Sequence, residues 1–463
     1  MIIPESTDVL VVGGGNAAMC AAITAREQGA AVVVLEHAGQ EMRGGNSRHT
    51  RNLRAAHDQP VFEQTGAYSE DEFWQDLIKV TEGHTNEHLA RLMIRESPHL
   101  LEWLHARGIR YQSALRGTLS LDRTNAFFLG GGKALLNAEY RTAARLGVQI
   151  FYASEVTDLE IDATGFRSAT VVREGETHNI QAKAVVIASG GFQANEAWMK
   201  EAWGEAADNF IIRGTPFNRG TMLKNLMTKG AEIVGEPKQC HAVAIDARAP
   251  KYDGGIASRV DCVCFSIVVN REGRRFYDEG EDFWPKRYAI WGRLVAQQAG
   301  QIAYAIIDSK VVEQFMPSMF PEIRADSITA LANEIGVDAA SLEATVTGFN
   351  AAVRPGKYDP RELDGCSTAD IQPNKSNWAL KLDTPPYYAY PLRPGITFTY
   401  LGLKVDENAQ VSFGPDRSVD NVFAAGEVMA GNILGQGYCA GTGMTIGTVF
   451  GRIAGENAAC RRT

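Results

Sequence analysis

The chain has 463 residues, of which 45% are hydrophobic and 22% charged, and its formal net charge is −9. This composition is typical of a globular protein with two or three structural units, and the negative charge argues against nucleic acid as a partner. No apolar run reaches membrane-spanning length, no signal-type segment opens the sequence, and the cysteines lack the spacing of a metal site. We therefore expect a cytoplasmic protein with reduced thiols and no metal.

The first recognisable motif combines a strand, a glycine turn, a helix and an acid. An apolar run at residues 8–12 is followed by three glycines and an alanine-rich helical segment. Gly13 allows a sharp turn, Gly15 lets a pyrophosphate approach the backbone, and Ala18 lets the helix pack closely on the strand. Glu36 ends the next strand, where an acid accepts hydrogen bonds from a ribose and repels a ribose phosphate. The motif predicts a dinucleotide, FAD or NAD, and disfavours NADP.

The most basic segment of the chain is residues 41–58, which holds four arginines and two histidines. One interpretation is a solvated run of charge. The other is that some of these arginines bind a polyanion, either the cofactor diphosphate or an acidic substrate. Arg51 is the member that we assign to substrate binding.

Two later segments also place glycines after a buried strand. Residues 184–188 are apolar and lead into Ser-Gly-Gly, and a strand near residue 421 ends in Gly-Glu before a glycine-rich loop and a small-residue helix. Between them, from about residue 236, the helix and strand periods become less regular, and aromatic and charged residues gather. The glycine segments suit a cofactor's sugar chain and ring system, and the irregular part suits an inserted domain.

Together these segments resemble the flavoprotein family of fumarate reductase and succinate dehydrogenase, and within it the FAD-dependent tricarballylate dehydrogenases. The family resemblance rests on GGGNAA, GGNS, VVIASGGF, VVNREGRRFYDE and NVFAAGEV, at residues 13–18, 44–47, 185–192, 268–279 and 421–428. The subfamily resemblance rests on RFYDEGEDFWPKRYAIWGR and GYCAGTGMTIGTVFGRIAG.

The resemblance implies an α/β fold with a discontinuous Rossmann-like FAD-binding domain, residues 1–235 and 379–463, and an inserted α+β capping domain, residues 236–378. Some relatives attach flavin covalently to a histidine near the early loop, but His49 is out of register, so we expect non-covalent FAD. The cofactor residues implied are Gly13, Gly15, Asn16, Ala17, Glu36, Gly45, Asn46, Ser47, Thr50, Val156, Ser189, Gly190, Gly191, Gly426, Glu427, Thr442, Gly443, Met444 and Thr445.

The resemblance also implies the chemistry. A saturated acid loses a proton and a hydride from adjacent carbons, the hydride passes to flavin N5, and in this family an arginine transfers the proton. Arg287, after the R-F-x-x-E element, is the predicted acid–base group, although an ion pair to a nearby acid is an alternative role. His241 and Tyr438 are predicted as further catalytic groups or substrate ligands. Arg51, Arg293 and Thr399 are predicted to bind substrate, and Arg293 is the alternative proton donor.

The chain departs from the family pattern at several substrate positions. Ala242 and Val243 replace the family's Pro-Thr, Phe398 replaces a substrate histidine, and Tyr438 replaces a substrate-clamping arginine. These departures disfavour fumarate or succinate and favour a different acid, with tricarballylate oxidised to cis-aconitate. A fumarate reductase-like or ketosteroid dehydrogenase-like enzyme and a non-enzymatic electron carrier are the alternatives.

The expected partners are a small tricarboxylic or dicarboxylic acid and a separate redox protein that reoxidises FADH2. A membrane iron–sulfur protein would fill that second role, and it would hold this chain at the membrane periphery.

Overall fold

The computed structural model describes residues 2–114, 121–162, 165–414, 417 and 419–461. The strands are β1 (Ser6–Val12), β2 (Val32–Leu35), β3 (Asn52–Arg54), β4 (Tyr111–Gln112), β5 (Asn125–Phe128), β6 (Gln149–Phe151), β7 (Ser154–Asp162), β8 (Gly165–Arg173), β9 (Glu176–Ile187), β10 (Ile211–Arg213), β11 (Ile233–Val234), β12 (Cys240–Asp246), β13 (Tyr252–Asp253), β14 (Ile267–Asn270), β15 (Ala303–Asp308), β16 (Ile323–Ala325), β17 (Tyr387–Thr399), β18 (Gly402–Leu403) and β19 (Val422–Ala424).

The helices are α1 (Asn16–Glu27), α2 (Glu70–Thr81), α3 (Glu87–Glu96), α4 (Leu100–Ala106), α5 (Gly131–Leu146), α6 (Glu196–Trp203), α7 (Thr221–Thr228), α8 (Trp284–Arg287), α9 (Trp291–Ala296), α10 (Ile328–Ile335), α11 (Ala339–Ala352) and α12 (Thr442–Ala459). Within the described residues, no helix is both long enough and apolar enough to cross a membrane.

The first sheet is built on five parallel strands in the order β6–β2–β1–β9–β19. Apolar residues fill its centre, as in the register pairs of Leu10 with Val33 and with Val185, because both faces of a parallel sheet are covered. Strand β9 continues beyond this core and pairs antiparallel with β8, which pairs with β7. The carboxyl ends of the parallel strands meet at one edge, where doubly wound sheets bind their ligands.

Helices α1 and α12 pack closely because small residues line their contact. A side chain at Gly451 would collide with the backbone oxygen of Ala17, and one at Gly455 would collide with the backbone of Ala21. Gly447 also lies against Ala17, one turn earlier. This glycine stripe, at intervals of four residues, lets the last helix of the domain cover the first.

The second sheet follows the order β13–β10–β17–β15–β14, with β12 and β16 also paired to the long strand β17. Helices α10 and α11 cover it with a separate apolar cluster that includes Leu331, Leu342 and Phe349. Strands β10 and β17 lie outside the predicted range 236–378, so the sheet draws on chain from both sides of it. The predicted fold class, a Rossmann-like domain with a capping domain, is confirmed, and the exact boundaries stay a prediction.

A buried polar network joins β3 to α2, α8 and the loop before α12. Arg54 donates to the hydroxyl of Tyr68 at 2.6 Å and to the carbonyl of Ala440 at 2.9 Å, and lies 3.3 Å from Asp76. Lys286 reaches the other carboxylate oxygen of Asp76 at 2.6 Å. Each charge of this network therefore has an opposite charge inside the protein.

Candidate active site

A deep cleft opens between the two sheets, at the carboxyl ends of β1, β2, β9 and β19. It contains about 1690 Å³ of empty space, including the part open to solvent. One end is lined by the glycine turn after β1, and the other by residues of β10, β12 and the segment after α8. The cleft therefore has two ends. We call the part at the glycine turn the dinucleotide end and the part at β10 and β12 the cationic end.

The glycine turn forms the wall of the dinucleotide end. Gly13 has a φ of 111°, and a side chain there would collide with the carbonyl oxygen of Ala188. Helix α1 begins at Asn16, whose backbone N–H donates to Ser47 Oγ at 3.1 Å. The positive end of α1 therefore faces a space closed by small residues, which fits a diphosphate.

Glu36 supplies the acid of the dinucleotide end. Its carboxylate accepts hydrogen bonds from the N–H groups of Ala38 at 2.8 Å and Gly44 at 3.1 Å. Burial raises the pKa of Glu36, and these N–H groups oppose the shift. The carboxylate is thus fixed at the end of β2, in the position where an adenosine ribose donates its hydroxyl groups.

A second buried acid lies deeper in the cleft. Glu427 accepts from the N–H of Thr399 at 2.9 Å, and Asn218 Nδ2 lies 3.4 Å from its other oxygen. Burial raises the pKa of Glu427 to about 7, against the opposing effect of the N–H groups of Thr399 and Gly191. Ser189 Oγ nearby is buried, and no described residue forms a hydrogen bond with it. The acid and this hydroxyl fit the polyhydroxyl chain that links diphosphate to flavin.

These observations show that the cleft fits FAD, and most predicted cofactor residues line it. The lining residues are Gly13, Gly15, Asn16, Ala17, Glu36, Gly45, Asn46, Ser47, Thr50, Val156, Ser189, Gly190, Gly426, Glu427, Gly443 and Met444. Three others lie behind the surface. Gly191 packs against Glu427, Thr442 is fully buried, and Thr445 donates to the carbonyl of Arg54 at 2.5 Å.

His49 also lines the cleft. Burial, with smaller contributions from Arg213 and Arg48, lowers the pKa of His49 to about 4, so its imidazole is neutral at physiological pH. Non-covalent attachment of FAD stays a prediction.

An aromatic wall marks the cationic end of the cleft. The rings of His241 and Tyr438 stack at 4.1 Å with an angle of 7° between their planes, and Tyr288 meets His241 edge-on at 5.3 Å. His241 Nε2 is buried and has no hydrogen-bond partner among the residues that the structure describes. Burial, aided by the charges of Arg213 and Arg259, holds the pKa of His241 well below its usual range. The imidazole is therefore neutral, and its free nitrogen is available to a ligand.

Tyr438 is held by the start of α12. Its hydroxyl oxygen accepts from the N–H of Gly443 at 2.9 Å. Burial raises the pKa of Tyr438, so the phenol keeps its proton. With its oxygen already accepting, the hydroxyl remains a hydrogen-bond donor for a bound molecule.

Three buried arginines surround this wall. Arg51, Arg213 and Arg259 all line the cleft, and each is less than one tenth exposed. Arg259 forms an ion pair with both oxygens of Asp261, at 2.5 and 2.6 Å, and is the one of the three that pairs with a carboxylate of the described residues. Arg213 donates to the carbonyl of Gly255 and to Thr397 Oγ1, both at 3.1 Å.

Arg51 has the poorest set of partners of the three. Its guanidinium contacts the sulfur of Met316 at 3.4 Å. Burial, reinforced by the charge of Arg259, lowers the pKa of Arg51 to about 9. Burial also lowers the pKa of Arg213. In Arg259 the carboxylate of Asp261 outweighs burial, and the pKa is raised.

The structure does not bring the other predicted substrate residues into this cluster. Arg287 and Arg293 line a separate cavity, in which Arg287 pairs with Glu281 at 2.8 Å and Arg293 donates to the side chain of Gln239. Arg287 is the last residue of the short helix α8, and the next residue, Tyr288, faces the cleft instead. Thr399 is buried against Glu427 rather than beside the arginines.

Sequence reasoning missed two residues of the cationic end, Arg213 and Arg259. Neither belongs to a motif singled out in the sequence, and Arg259 lies in a segment without helical or strand periodicity. Arg213 gives one weak signal in the sequence, because it is an arginine at the end of an apolar strand, just before Gly-Thr-Pro at 214–216. The fold, by placing β10 beside β17, brings Arg213 to the cleft.

Comparison with known proteins supports the same assignment of cofactor. The model of the FAD binding domain family matches residues 8–446. The NADH:fumarate oxidoreductase of Klebsiella pneumoniae is 27% identical over 99% of this chain, which spans 48% of that protein's length. A probable fumarate reductase of Shewanella frigidimarina is 27% identical over 98% of this chain and 75% of its own length.

A solved structure confirms the fold. The 3-ketosteroid-Δ4-(5α)-dehydrogenase of Rhodococcus jostii superposes with a TM-score of 0.77 at 20% identity, over 99% of this chain and 98% of that one. With the family match, the fumarate-reducing relatives and the fit of the cleft, the chain belongs to the FAD binding domain family, among the flavoproteins that include fumarate reductase, and FAD is its cofactor.

Proposed function

We propose that this protein is an FAD-dependent dehydrogenase of a tricarboxylic acid, which oxidises tricarballylate to cis-aconitate. The observation that carries the proposal is the excess of buried positive charge at the cationic end of the cleft. Among the described residues, Asp261 pairs with Arg259 and also attracts Arg51, and Asp253 attracts Arg213, so two carboxylates oppose three guanidinium groups there. A polycarboxylate is the class of small molecule that neutralises such a site.

The energetics favour a ligand with at least two acid groups. A buried charge without an opposite partner is strongly destabilising, by several kcal/mol before relaxation. Among the described residues, no carboxylate oxygen lies within 4 Å of Arg51 or Arg213, and two carboxylates of a ligand would give each an ion pair. Guanidinium groups bind carboxylates with two parallel hydrogen bonds, so the arginines would also fix the orientation of the acid.

The reaction removes a proton and a hydride from adjacent carbons, and bound FAD supplies the hydride acceptor. Within the protein, we assign proton removal to the free Nε2 of His241. Its pKa is depressed by burial and by Arg213 and Arg259, so substrate carboxylates that neutralise these arginines make His241 a stronger base. The cations also stabilise negative charge that develops next to a carboxylate as the proton leaves.

Tyr438 and its neighbours complete the site. The protonated phenol, fixed by the N–H of Gly443, donates to a substrate oxygen. The rings of Tyr288, Phe398 and Trp284 line the same end of the cleft and exclude water from it. Exclusion of water strengthens each of these electrostatic interactions.

Arg287 is the second candidate for the proton step, by resemblance to the family. The position of Arg287 in the sequence, after the R-F-x-x-E element, supports this role. Its side chain, however, pairs with Glu281 in a separate cavity. A cap movement would be needed to bring it to a substrate, so His241 is the assignment favoured by the geometry.

The proposal includes a separate redox protein that takes electrons from the reduced flavin, and a cytoplasmic location. The redox protein rests on the family resemblance, and the location rests on the cysteine pattern and the apolar runs of the sequence. Activity measurements can use an artificial electron acceptor in place of that protein.

Anaerobic reduction of the bound flavin tests the proposed function. Tricarballylate should bleach the flavin absorbance of the purified protein, and succinate should do so at least tenfold more slowly at equal concentration. Rapid bleaching by succinate alone would indicate a dicarboxylate enzyme. Bleaching by a saturated ketosteroid alone would indicate that Tyr438 serves a carbonyl oxygen. Reoxidation of dithionite-reduced enzyme by cis-aconitate or fumarate measures the reverse direction with the same signal.

A further inference from the structure

A second concentration of positive charge lies on the outer surface, away from the cleft. A groove between α4 and α5 is lined by Arg107, Arg110, Arg141 and Arg145 with His105, and none of the described residues that line it is acidic. Arg107 pairs with Glu27 at 2.6 Å. Among the described residues, no carboxylate oxygen lies within 4 Å of the other three guanidinium groups. This is unexpected in a protein whose net charge is −9.

The charge continues along the exposed face of α5. Lys133, Asn137, Arg141 and Arg145 are exposed and follow one another at intervals of four residues, so they form one stripe on the helix. Arg43 joins this stripe from the preceding loop, since it donates to Asn137 Oδ1 at 2.7 Å. The cations of groove and stripe thus form a single surface.

Two large apolar side chains project among these cations. Met42 is 44% exposed and its sulfur lies 3.6 Å from Arg48 Nη1. Leu129 is 53% exposed, and its N–H donates to the carbonyl of Arg110 at 2.8 Å. We call this surface the basic face, formed by Arg43, Arg48, Arg110, Lys133, Arg141 and Arg145 with Met42 and Leu129.

We propose that the basic face binds the surface of an anionic lipid bilayer. Clustered Lys and Arg side chains are attracted to anionic headgroups, and exposed apolar side chains among them enter the headgroup boundary. An acidic protein surface would pair with the cations but would leave Met42 and Leu129 without an apolar environment. The combination of both features therefore favours lipid.

The attraction is local, because charges farther away than about 8 to 10 Å are screened at physiological ionic strength. The carboxylates next to the face include Glu27, which pairs with Arg107, and Glu41, which is exposed beside Met42. The remaining six cations outnumber them. A protein that is acidic as a whole can thus approach an acidic membrane in one orientation.

Co-sedimentation of the FAD-loaded protein with vesicles tests this proposal without reference to the substrate. The probe is phosphatidylcholine with about one third phosphatidylglycerol, compared with phosphatidylcholine alone. The wild type should bind the anionic vesicles, lose this binding as salt is raised, and remain free of the neutral vesicles. R141E/R145E should lower the partition coefficient at least ~25-fold, since each cation near the surface contributes about fivefold.

The matched control is R324E/R354E, which makes the same change in net charge at exposed positions of the capping region. If net charge alone governs binding, R324E/R354E should bind anionic vesicles as weakly as R141E/R145E, within about twofold. That result would overturn the proposal. Leu129→Ser should weaken binding without altering its salt dependence. Equal FAD content in all variants shows that they are folded.

Two other results would also reject lipid as the partner. One is wild-type protein that does not sediment with anionic vesicles at low salt. The other is retention on immobilised polyglutamate, lost in R141E/R145E, together with absence of vesicle binding, which would identify an acidic protein instead.

Discussion

Two neighbouring regions of the structure differ in how a buried arginine is paired. In the network below the cleft, Arg54 is enclosed by Tyr68, Asp76 and the carbonyl of Ala440. Arg51, three residues earlier in the chain, lies in the cleft, where it contacts the sulfur of Met316. The first arginine is neutralised by the fold, while the second, in our proposal, is neutralised by a ligand. Pairing within the protein therefore separates structural charges from binding charges.

The largest expected effect comes from removing both unpaired charges. Arg51→Gln/Arg213→Gln should lower kcat/KM for tricarballylate at least ~10³-fold, because each lost buried charge contact costs about 2 to 5 kcal/mol. Flavin content should be unchanged, since the glycine turn and Glu36 lie at the other end of the cleft. Steady-state kinetics with an artificial acceptor measures this.

Arg287→Gln/Arg293→Gln is the matched control for that comparison, as it removes two arginines from the separate cavity. Its kcat/KM should stay within about tenfold of the wild type. If this control is the inactive protein and the cleft variant is active, the unpaired arginines are not the substrate site.

The next effect concerns the proton step. His241→Gln should lower kcat about 10²- to 10⁴-fold, the range for loss of an acid–base group, with a smaller change in KM. Because the pKa of His241 is lowered in the free enzyme, the free base persists as pH falls, so wild-type kcat/KM should be level above pH ~6.5 and decline only in acid. Turnover that instead rises steadily toward alkaline pH would favour an arginine base, and Arg287→Ala would then identify it.

The smallest effect compares the two arginines by stability. Arg54→Met should lower the free energy of unfolding by about 3 to 5 kcal/mol, since it leaves Asp76 short of a partner, whereas Arg51→Met should raise it by ~1 kcal/mol. In the native state the pKa of Arg51 is about 9, which is below its value in the unfolded chain. Between these two pKa values the native protein therefore binds fewer protons than the unfolded chain. The advantage of Arg51→Met should therefore be full below pH 9 and shrink above it.

Thermal unfolding at fixed FAD concentration measures the stability of both variants. Tricarballylate should raise the melting temperature of the wild type and leave that of Arg51→Met nearly unchanged. A stabilised Arg54→Met protein would show that pairing does not distinguish the two regions.

The dinucleotide end could be predicted from sequence because its parts are local. Gly13 and Glu36 belong to one strand–turn–helix–strand unit, in which spacing alone determines position. The cationic end could not, because Arg213 and Arg259 reach it through strand pairing between distant segments. Arg287 illustrates the remaining difficulty, since a shift of one residue at the end of α8 decides whether a side chain faces the cleft, as Tyr288 does, or the separate cavity.

The glycine stripe between α1 and α12 has a consequence for biosynthesis. The ribosome makes α12 on the order of 400 residues after α1, which at about 5 to 20 residues per second takes roughly 20 to 80 s. Through that interval the small-residue face of α1 lacks the helix that covers it, and Gly443 and Glu427 are still absent from the cleft. The complete FAD site therefore forms only after the last helix has been translated, and until then α12 does not cover α1.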